Sequence, residues 1–179
     1  MTKLITFAIV VVLAMSTMAT AGDWMEVRSI TPTATYDVSP QFVTNLDGSI
    51  KGPLGWNGWA VVGAKWSEAY IGPTLSTKTM GIGVSAGIES GGHLRLGSTG
   101  WLAKGRVLAV GTYETGAARW YKLTVDYKVQ KHLKVGYQDQ LGAGRGPRIV
   151  ATFGRVMVWS ALLVKDGKST IIATARFSR

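Results

Sequence analysis

The chain has 179 residues, no cysteine, 23 glycines and a formal net charge of +10. The absence of cysteine excludes disulfide-stapled scaffolds and metal sites built on thiolates. The charge is uneven, because residues 95–179 contain fifteen Lys and Arg against four Asp and Glu, whereas residues 22–94 contain four against six. A basic half attracts polyanions such as anionic polysaccharides, but it does not define a fold.

The first element is an apolar segment, 4–15, which follows Lys3 and precedes small residues that end at Ala21. This order is typical of a bacterial secretory signal peptide, and the Ala-Thr-Ala sequence at its end predicts cleavage after Ala21. A membrane anchor is the alternative, but the apolar run is shorter than the roughly 20 residues that a spanning helix needs. We therefore predict a signal peptide over 1–21 and a single domain over 22–179.

The rest of the chain repeats apolar residues at every second position, which is the period of β-strands. Turn residues separate the segments, and Asp166-Gly167 between two alternating runs is a strong hairpin signal. Residues 38–56 contain Gly, Pro and Asn, and they are predicted to form a long loop or a plug-like segment. The predicted strands are 26–37, 57–65, 68–76, 79–89, 93–102, 105–114, 118–129, 131–140, 147–154, 156–165 and 169–177.

Many strands joined by tight turns, with no crossover helices, indicate an all-β antiparallel meander. We predict that the meander closes into a β-barrel of about 8–12 strands. The alternative is a soluble β-sandwich or a lipocalin-like barrel, in which the alternating residues face a protein core.

The predicted strand 118–129 carries an apolar face and a charged face. Its length suits a transmembrane β-strand, which needs about 9–11 residues, whereas soluble strands have about five or six. The side chains predicted to face lipid on this strand and the next are Tyr121, Leu123, Val125, Tyr127, Val135 and Tyr137. The tryptophans predicted to form aromatic girdles at the membrane interfaces are Trp59, Trp66, Trp101, Trp120 and Trp159.

The residues that share one face of the last predicted strand are Ile171, Ala173, Ala175 and Phe177. This pattern resembles the final strand of the small bacterial outer-membrane β-barrels, which ends on an aromatic residue. The chain departs from the family pattern because Ser178 and Arg179 follow the phenylalanine. The resemblance covers the alternation over 57–179. It implies a barrel in the bacterial outer membrane with membrane lipid as its partner.

In such a barrel, the polar faces of the later strands meet inside. The side chains predicted to face the lumen or a ligand there are Lys122, Asp126, Lys128, Lys134, Gln138, Arg148 and Arg176. They would make the interior electropositive and favour anions if water passes through. A packed interior, in which lysines neutralise Asp126, is the other reading, since barrels of eight to ten strands tend to fill with their own side chains.

No catalytic or cofactor motif occurs in the chain. The two histidines, His93 and His132, lie far apart, so a histidine metal site has no support. The glycines Gly81, Gly83 and Gly87 share one strand face and predict close packing of bulky neighbours.

These features predict an outer-membrane barrel, without enzymatic activity or a cofactor, that serves porin-like, anion-leaning passive transport or a structural role in the envelope. Anionic solutes or polysaccharide are the expected ligands, and nucleic acid is not. The alternative function is that of a soluble, periplasmic or secreted β-sheet module that binds an anionic glycan or another polyanion.

Overall fold

A computed structural model describes the backbone of residues 21–32, 39–63, 66–116 and 118–178, and the side chains of 51–62, 66–116 and 118–176. The predicted signal peptide lies outside the described residues, apart from Ala21. The strands are β1 (Ala21–Pro32), β2 (Ser39–Lys51), β3 (Leu54–Gly63), β4 (Ser67–Ser76), β5 (Met80–Glu89), β6 (Leu94–Lys104), β7 (Val107–Thr115), β8 (Trp120–Gln130), β9 (Leu133–Gln140), β10 (Gly144–Phe153), β11 (Val156–Lys165) and β12 (Lys168–Ser178).

The twelve strands form a closed antiparallel barrel in chain order. Closure takes place at β1, where Met25 lies opposite Thr44 of β2 on one side and opposite Phe177 of β12 on the other. A closed sheet has no edge strand, so no strand of this barrel presents an unpaired row of backbone groups. The prediction of an all-β barrel is confirmed, and the sandwich alternative is wrong. In the described part of the chain, no helix is long and apolar enough to cross a membrane.

The long loop predicted over 38–56 is wrong. Residue 38 lies outside the described residues, and residues 39–56 form β2, a tight turn at Gly52-Pro53 and the first residues of β3. Gly, Pro, Asn and Asp are depleted in strands, and their density in this segment suggested a connection. Pairing with β1 on one side and β3 on the other overrides that local preference, and Asp47 lies in register with Asn57.

The turns lie at two ends of the barrel. At the end where β1 begins and β12 finishes, which we call the short-turn end, four of the five connections have two residues. These are Gly52-Pro53, Gly105-Arg106, Lys131-His132 and Gly154-Arg155, and the fifth is 77–79. The opposite end, called the far end, carries the Asp166-Gly167 hairpin, and the positive φ angles of both residues confirm the predicted turn.

The wall of the barrel is apolar outside. Large apolar side chains stand exposed on the outer face of every strand from β3 to β12, for example Ile82 at 59% and Phe153 at 66%. The aromatic residues on this face include Tyr113, Tyr121 and Tyr127. Soluble proteins do not expose a continuous apolar surface of this kind to water, so the outer face must contact an apolar environment.

The tryptophan girdle predicted from the sequence is wrong for four of its five members. Of the five, Trp66 is exposed, whereas the other four occupy inner positions. Their cross-strand partners are Tyr70 for Trp59, Gly81 for Trp101, Glu114 for Trp120 and Val150 for Trp159. Alternate residues of a strand point to opposite faces of the sheet. Which set points inward depends on how the strand pairs in the closed barrel, and the position of a residue near a strand end does not specify it.

Candidate functional site in the barrel interior

Buried charged side chains on β4 to β7 converge near the far end of the barrel. Arg95 lies at the centre, with Nη1 2.8 Å from Glu89 Oε2 and 3.5 Å from Glu68 Oε2, and with Nη2 3.4 Å from Glu114 Oε2. Tyr70 OH lies 3.3 Å from both Glu68 Oε2 and Glu114 Oε2 and donates its single hydrogen between them. We call these five residues the Arg95 cluster.

The Arg95 cluster carries three carboxyl groups against one guanidinium. Arg95 Nη2 also donates to the backbone oxygen of Ala118, 3.2 Å away, which fixes the β7–β8 connection to the interior. Glu114 Oε1 and Arg95 Nε are buried without a protein partner. The cluster therefore contains two buried polar atoms whose hydrogen bonds are not satisfied within the protein, which is uncommon for buried polar groups.

The backbone makes room for the cluster through glycines on neighbouring strands. A Cβ atom on Gly87 would lie 2.5 Å from the Tyr70 ring, and one on Gly97 would lie 3.4 Å from it. Trp59 stacks on the other side of Tyr70, with 4.3 Å between the ring centroids. On Gly81, a Cβ atom would collide with the Trp101 indole. The predicted close packing of bulky neighbours is confirmed for Gly81 and Gly87, whereas a Cβ atom on Gly83 would meet the smaller Thr74 side chain at 3.0 Å.

Gly87→Ala should lower the free energy of unfolding by about 1–3 kcal/mol, because the new methyl group overlaps the Tyr70 ring and the Ala69 backbone oxygen. Gly111→Ala is the matched control, since its Cβ atom would meet nothing closer than Leu123 Cδ1 at 3.9 Å. Urea unfolding in detergent micelles, followed by tryptophan fluorescence, measures both. Equal stability of the two variants would contradict the packing described for Tyr70.

A second polar group lies on β8, β9 and β10. Arg148 Nε donates to Asp126 Oδ1 at 2.9 Å, and Arg148 Nη1 donates to Gln138 Oε1 at 3.2 Å. Gln138 Nε2 then donates to Gln140 Oε1 at 3.1 Å. Gly136 allows this arrangement, because a Cβ atom there would lie 2.5 Å from the Asp126 carboxylate. The buried charge of Asp126 is thus neutralised by an arginine and not by the lysines that the sequence suggested.

Trp159 of β11 joins this polar group to an apolar core. Lys122 Nζ lies 4.7 Å and Arg148 Cζ 4.6 Å from its ring centroid, so two cations contact one indole. The same ring packs in a buried cluster of inner residues from β10, β11 and β12. The other members of that cluster are Val150, Ala161, Leu163 and Ile172. Part of the interior is therefore filled with apolar side chains, which the sequence reading of a wholly polar lumen did not anticipate.

The structure brings together four of the seven residues predicted to face the lumen, namely Lys122, Asp126, Gln138 and Arg148. The other three also occupy inner positions. Lys128 and Lys134 face each other in register across β8 and β9, and Arg176 lies opposite Met157 on β12 and β11. The six residues predicted to face lipid are exposed on the outer face: Tyr121, Leu123, Val125, Tyr127, Val135 and Tyr137.

Sequence reasoning missed the whole Arg95 cluster. A signal was present, because Glu68 and Arg95 lie near the starts of two predicted strands and Glu114 lies at the end of the predicted strand that follows Arg95's strand. In an antiparallel meander such positions meet at one end of the sheet. Among the residues that the structure describes, no three His, Cys, Asp or Glu side chains are placed to hold a metal ion together.

Comparison of the sequence with known proteins finds no matching family model and no matching curated protein. Comparison of the structure finds similar solved structures. The KdgM porin aligns with a TM-score of 0.60 at 10% identity, over 87% of this chain and 99% of its own. The NanC porin aligns with a TM-score of 0.55 at 7% identity, over 87% of this chain and 100% of its own.

The outer membrane protein Omp33 of Acinetobacter baumannii aligns with a TM-score of 0.53 at 11% identity, over 88% of this chain and 97% of its own. The alignments cover nearly the full length of all three structures, so the similarity concerns the entire barrel. The chain therefore has the antiparallel β-barrel fold of outer-membrane porins.

Proposed function

We propose that the protein is a barrel of the bacterial outer membrane that lets small anionic solutes pass passively. The observation that carries this proposal is the polarity of the wall, which is apolar outside and charged inside. On β8 the outer apolar residues run from Tyr121 to Val129, about 26 Å along the strand at ~3.3 Å per residue. With a strand tilt of about 40° this gives a band about 20 Å high, close to the ~25 Å typical of such barrels.

The residues on the two faces would then meet different surroundings. The exposed tyrosines and aliphatic side chains of β8 and β9 would contact lipid. The inner cations of β8 to β12 would face passing solutes, since seven of them accompany only one acidic residue on the inner face of these strands, Asp126. Those cations are Lys122, Lys128, Lys134, Arg148, Lys165, Lys168 and Arg176.

The preference for anions has two supports. The inner cations of β8 to β12 create a positive wall, and charge on a narrow lining selects ions of opposite sign. One of the similar solved structures is the KdgM porin in complex with disordered oligogalacturonate, a chain of acidic sugars. Small acidic sugars are therefore the solute class that we propose for this chain. The proposed role includes no chemical step on the solute.

A structural role without conduction is the second candidate, and the apolar cluster around Trp159 favours it. Gln138, Leu163 and Ile172 are 0% exposed, so side chains fill that sector of the interior. A barrel whose remaining sectors are equally filled would stabilise the envelope without passing solutes.

Fractionation and conductance distinguish the candidates. We expect the protein in the envelope fraction, with a mobility on denaturing gels that changes on boiling. We also expect discrete conductance steps after reconstitution in a planar bilayer, with a reversal potential that indicates anion preference. Envelope location without steps would support the structural role. A protein found wholly in the soluble fraction would contradict both candidates.

A further inference from the structure

Each of the five turns at the short-turn end carries a basic residue. We define the cationic turn ring by the Lys and Arg residues in or directly beside these turns: Lys51, Lys78, Lys104, Arg106, Lys131 and Arg155. All six are exposed. The turns and their flanking residues contain no Asp or Glu, whereas at the far end Glu89 flanks one connection and Asp166 lies within another.

The ring lies directly beside the apolar outer face. Leu54, Met80, Val107 and Phe153 are the strand residues nearest to four of the turns, and all are exposed. One residue of strand spans about 3.3 Å, so the charged groups stand within a few ångströms of the edge of the apolar band. Long basic side chains at such an edge keep their stems on apolar surface and their charges in the polar layer.

The cations are also distributed around the whole rim. The five turns join β2 to β3, β4 to β5, β6 to β7, β8 to β9 and β10 to β11, so they recur at every second strand of a closed barrel. A linear polymer in solution would contact only part of such a circle. A membrane leaflet that surrounds the barrel contacts every turn at once.

We propose that the cationic turn ring binds anionic phospholipid headgroups in the leaflet at the short-turn end. The inference rests on the proposed membrane location. Short turns of bacterial outer-membrane barrels face the periplasm, so this leaflet is the periplasmic one. Headgroup phosphates there meet the ammonium and guanidinium groups at the level set by the apolar band, and basic residues at a membrane surface attract anionic lipid.

Spin-labelled lipids test the inference in proteoliposomes of phosphatidylcholine. The measured quantity is the ratio of the association of labelled phosphatidylglycerol to that of labelled phosphatidylcholine. We expect a ratio of about two to five for the unaltered protein at low salt, decreasing towards one at about 1 M salt. K78Q/K104Q/R106Q removes three of the six cations, so it should lower the excess of the ratio over one by about half.

R119Q/K165Q/K168Q is the matched control, because it removes three exposed cations from the far end. It should retain the ratio of the unaltered protein. Both variants are first checked for the gel shift on boiling. Two results would overturn the inference: an unchanged ratio in the ring variant, or an equal decrease in the control.

Further results distinguish a failure of the lipid-binding inference from a failure of the proposed membrane location. Dextran sulfate binding that depends on the ring, with no lipid preference, would overturn the inference in favour of a soluble polyanion. A protein that does not float with phosphatidylcholine vesicles at all would contradict the proposed membrane location and the inference with it. Insertion with a ratio of one would contradict only the role of the ring.

Discussion

Arg95→Met is expected to lower the free energy of unfolding by about 3–5 kcal/mol, the range for breaking a buried ion pair by removing one partner. The guanidinium is the only cation within salt-bridge distance of Glu68, Glu89 and Glu114 in the described interior. Its removal leaves three carboxyl groups facing one another and frees the Ala118 oxygen that Arg95 holds. The β7–β8 connection should loosen together with the cluster.

Urea unfolding in detergent micelles measures this loss, with the gel shift on boiling as an independent check of the folded barrel. Arg145→Met is the control, since Arg145 is an exposed arginine on the outer face of β10. Adding Glu68→Gln and Glu114→Gln to Arg95→Met should recover part of the stability, because neutral amides do not repel one another. Equal stability of the Arg95 and Arg145 variants would refute the central role of Arg95.

Lys122→Gln/Lys134→Gln is expected to reduce the ratio of anion to cation permeability at least about two-fold, because charges that line a narrow path control the local ion concentration. Both lysines occupy inner positions on β8 and β9. Neither is required for the ion pair between Arg148 and Asp126, so the wall should remain intact. The reversal potential in a salt gradient across a planar bilayer reports the change.

Lys104→Gln/Arg145→Gln is the control for this measurement. It removes the same charge from outer positions of β6 and β10. The reversal potential should stay close to that of the unaltered protein. A shift of equal size in both variants would indicate that the net charge of the protein, and not its inner wall, determines selectivity.

The period-two alternation was sufficient to predict most strands. From β3 onward each predicted strand overlaps an observed one, since the pattern of β8 and its neighbours is long and regular. The period-two pattern did not predict β2, because the Pro, Asn, Asp and Gly residues in that segment are depleted in strands and more common in loops. Pairing on both sides stabilises β2 in spite of that composition, and no single-sequence pattern reports such pairing.

The interior was harder to predict than the wall. Lys122, Asp126, Gln138 and Arg148 were identified because they alternate with apolar residues within two adjacent segments. The Arg95 cluster draws its members from four strands, over residues separated by up to 46 positions. The order of strands in a meander brings these strand ends to one end of the sheet, but the sequence does not specify that their side chains face the interior and contact one another. The inward direction of Trp59 and Trp159 was missed for the same reason.

The sequence by itself determined that the protein is built of antiparallel strands with one apolar face, because period-two alternation and turn residues act locally. Only the tertiary structure decided that the sheet closes with twelve strands, that β2 belongs to it, and which charged groups become partners inside. Closure fixes the register of every strand at once, and that register sets which side chains share the interior. The cationic turn ring likewise exists only because closure arranges five separate turns around one rim.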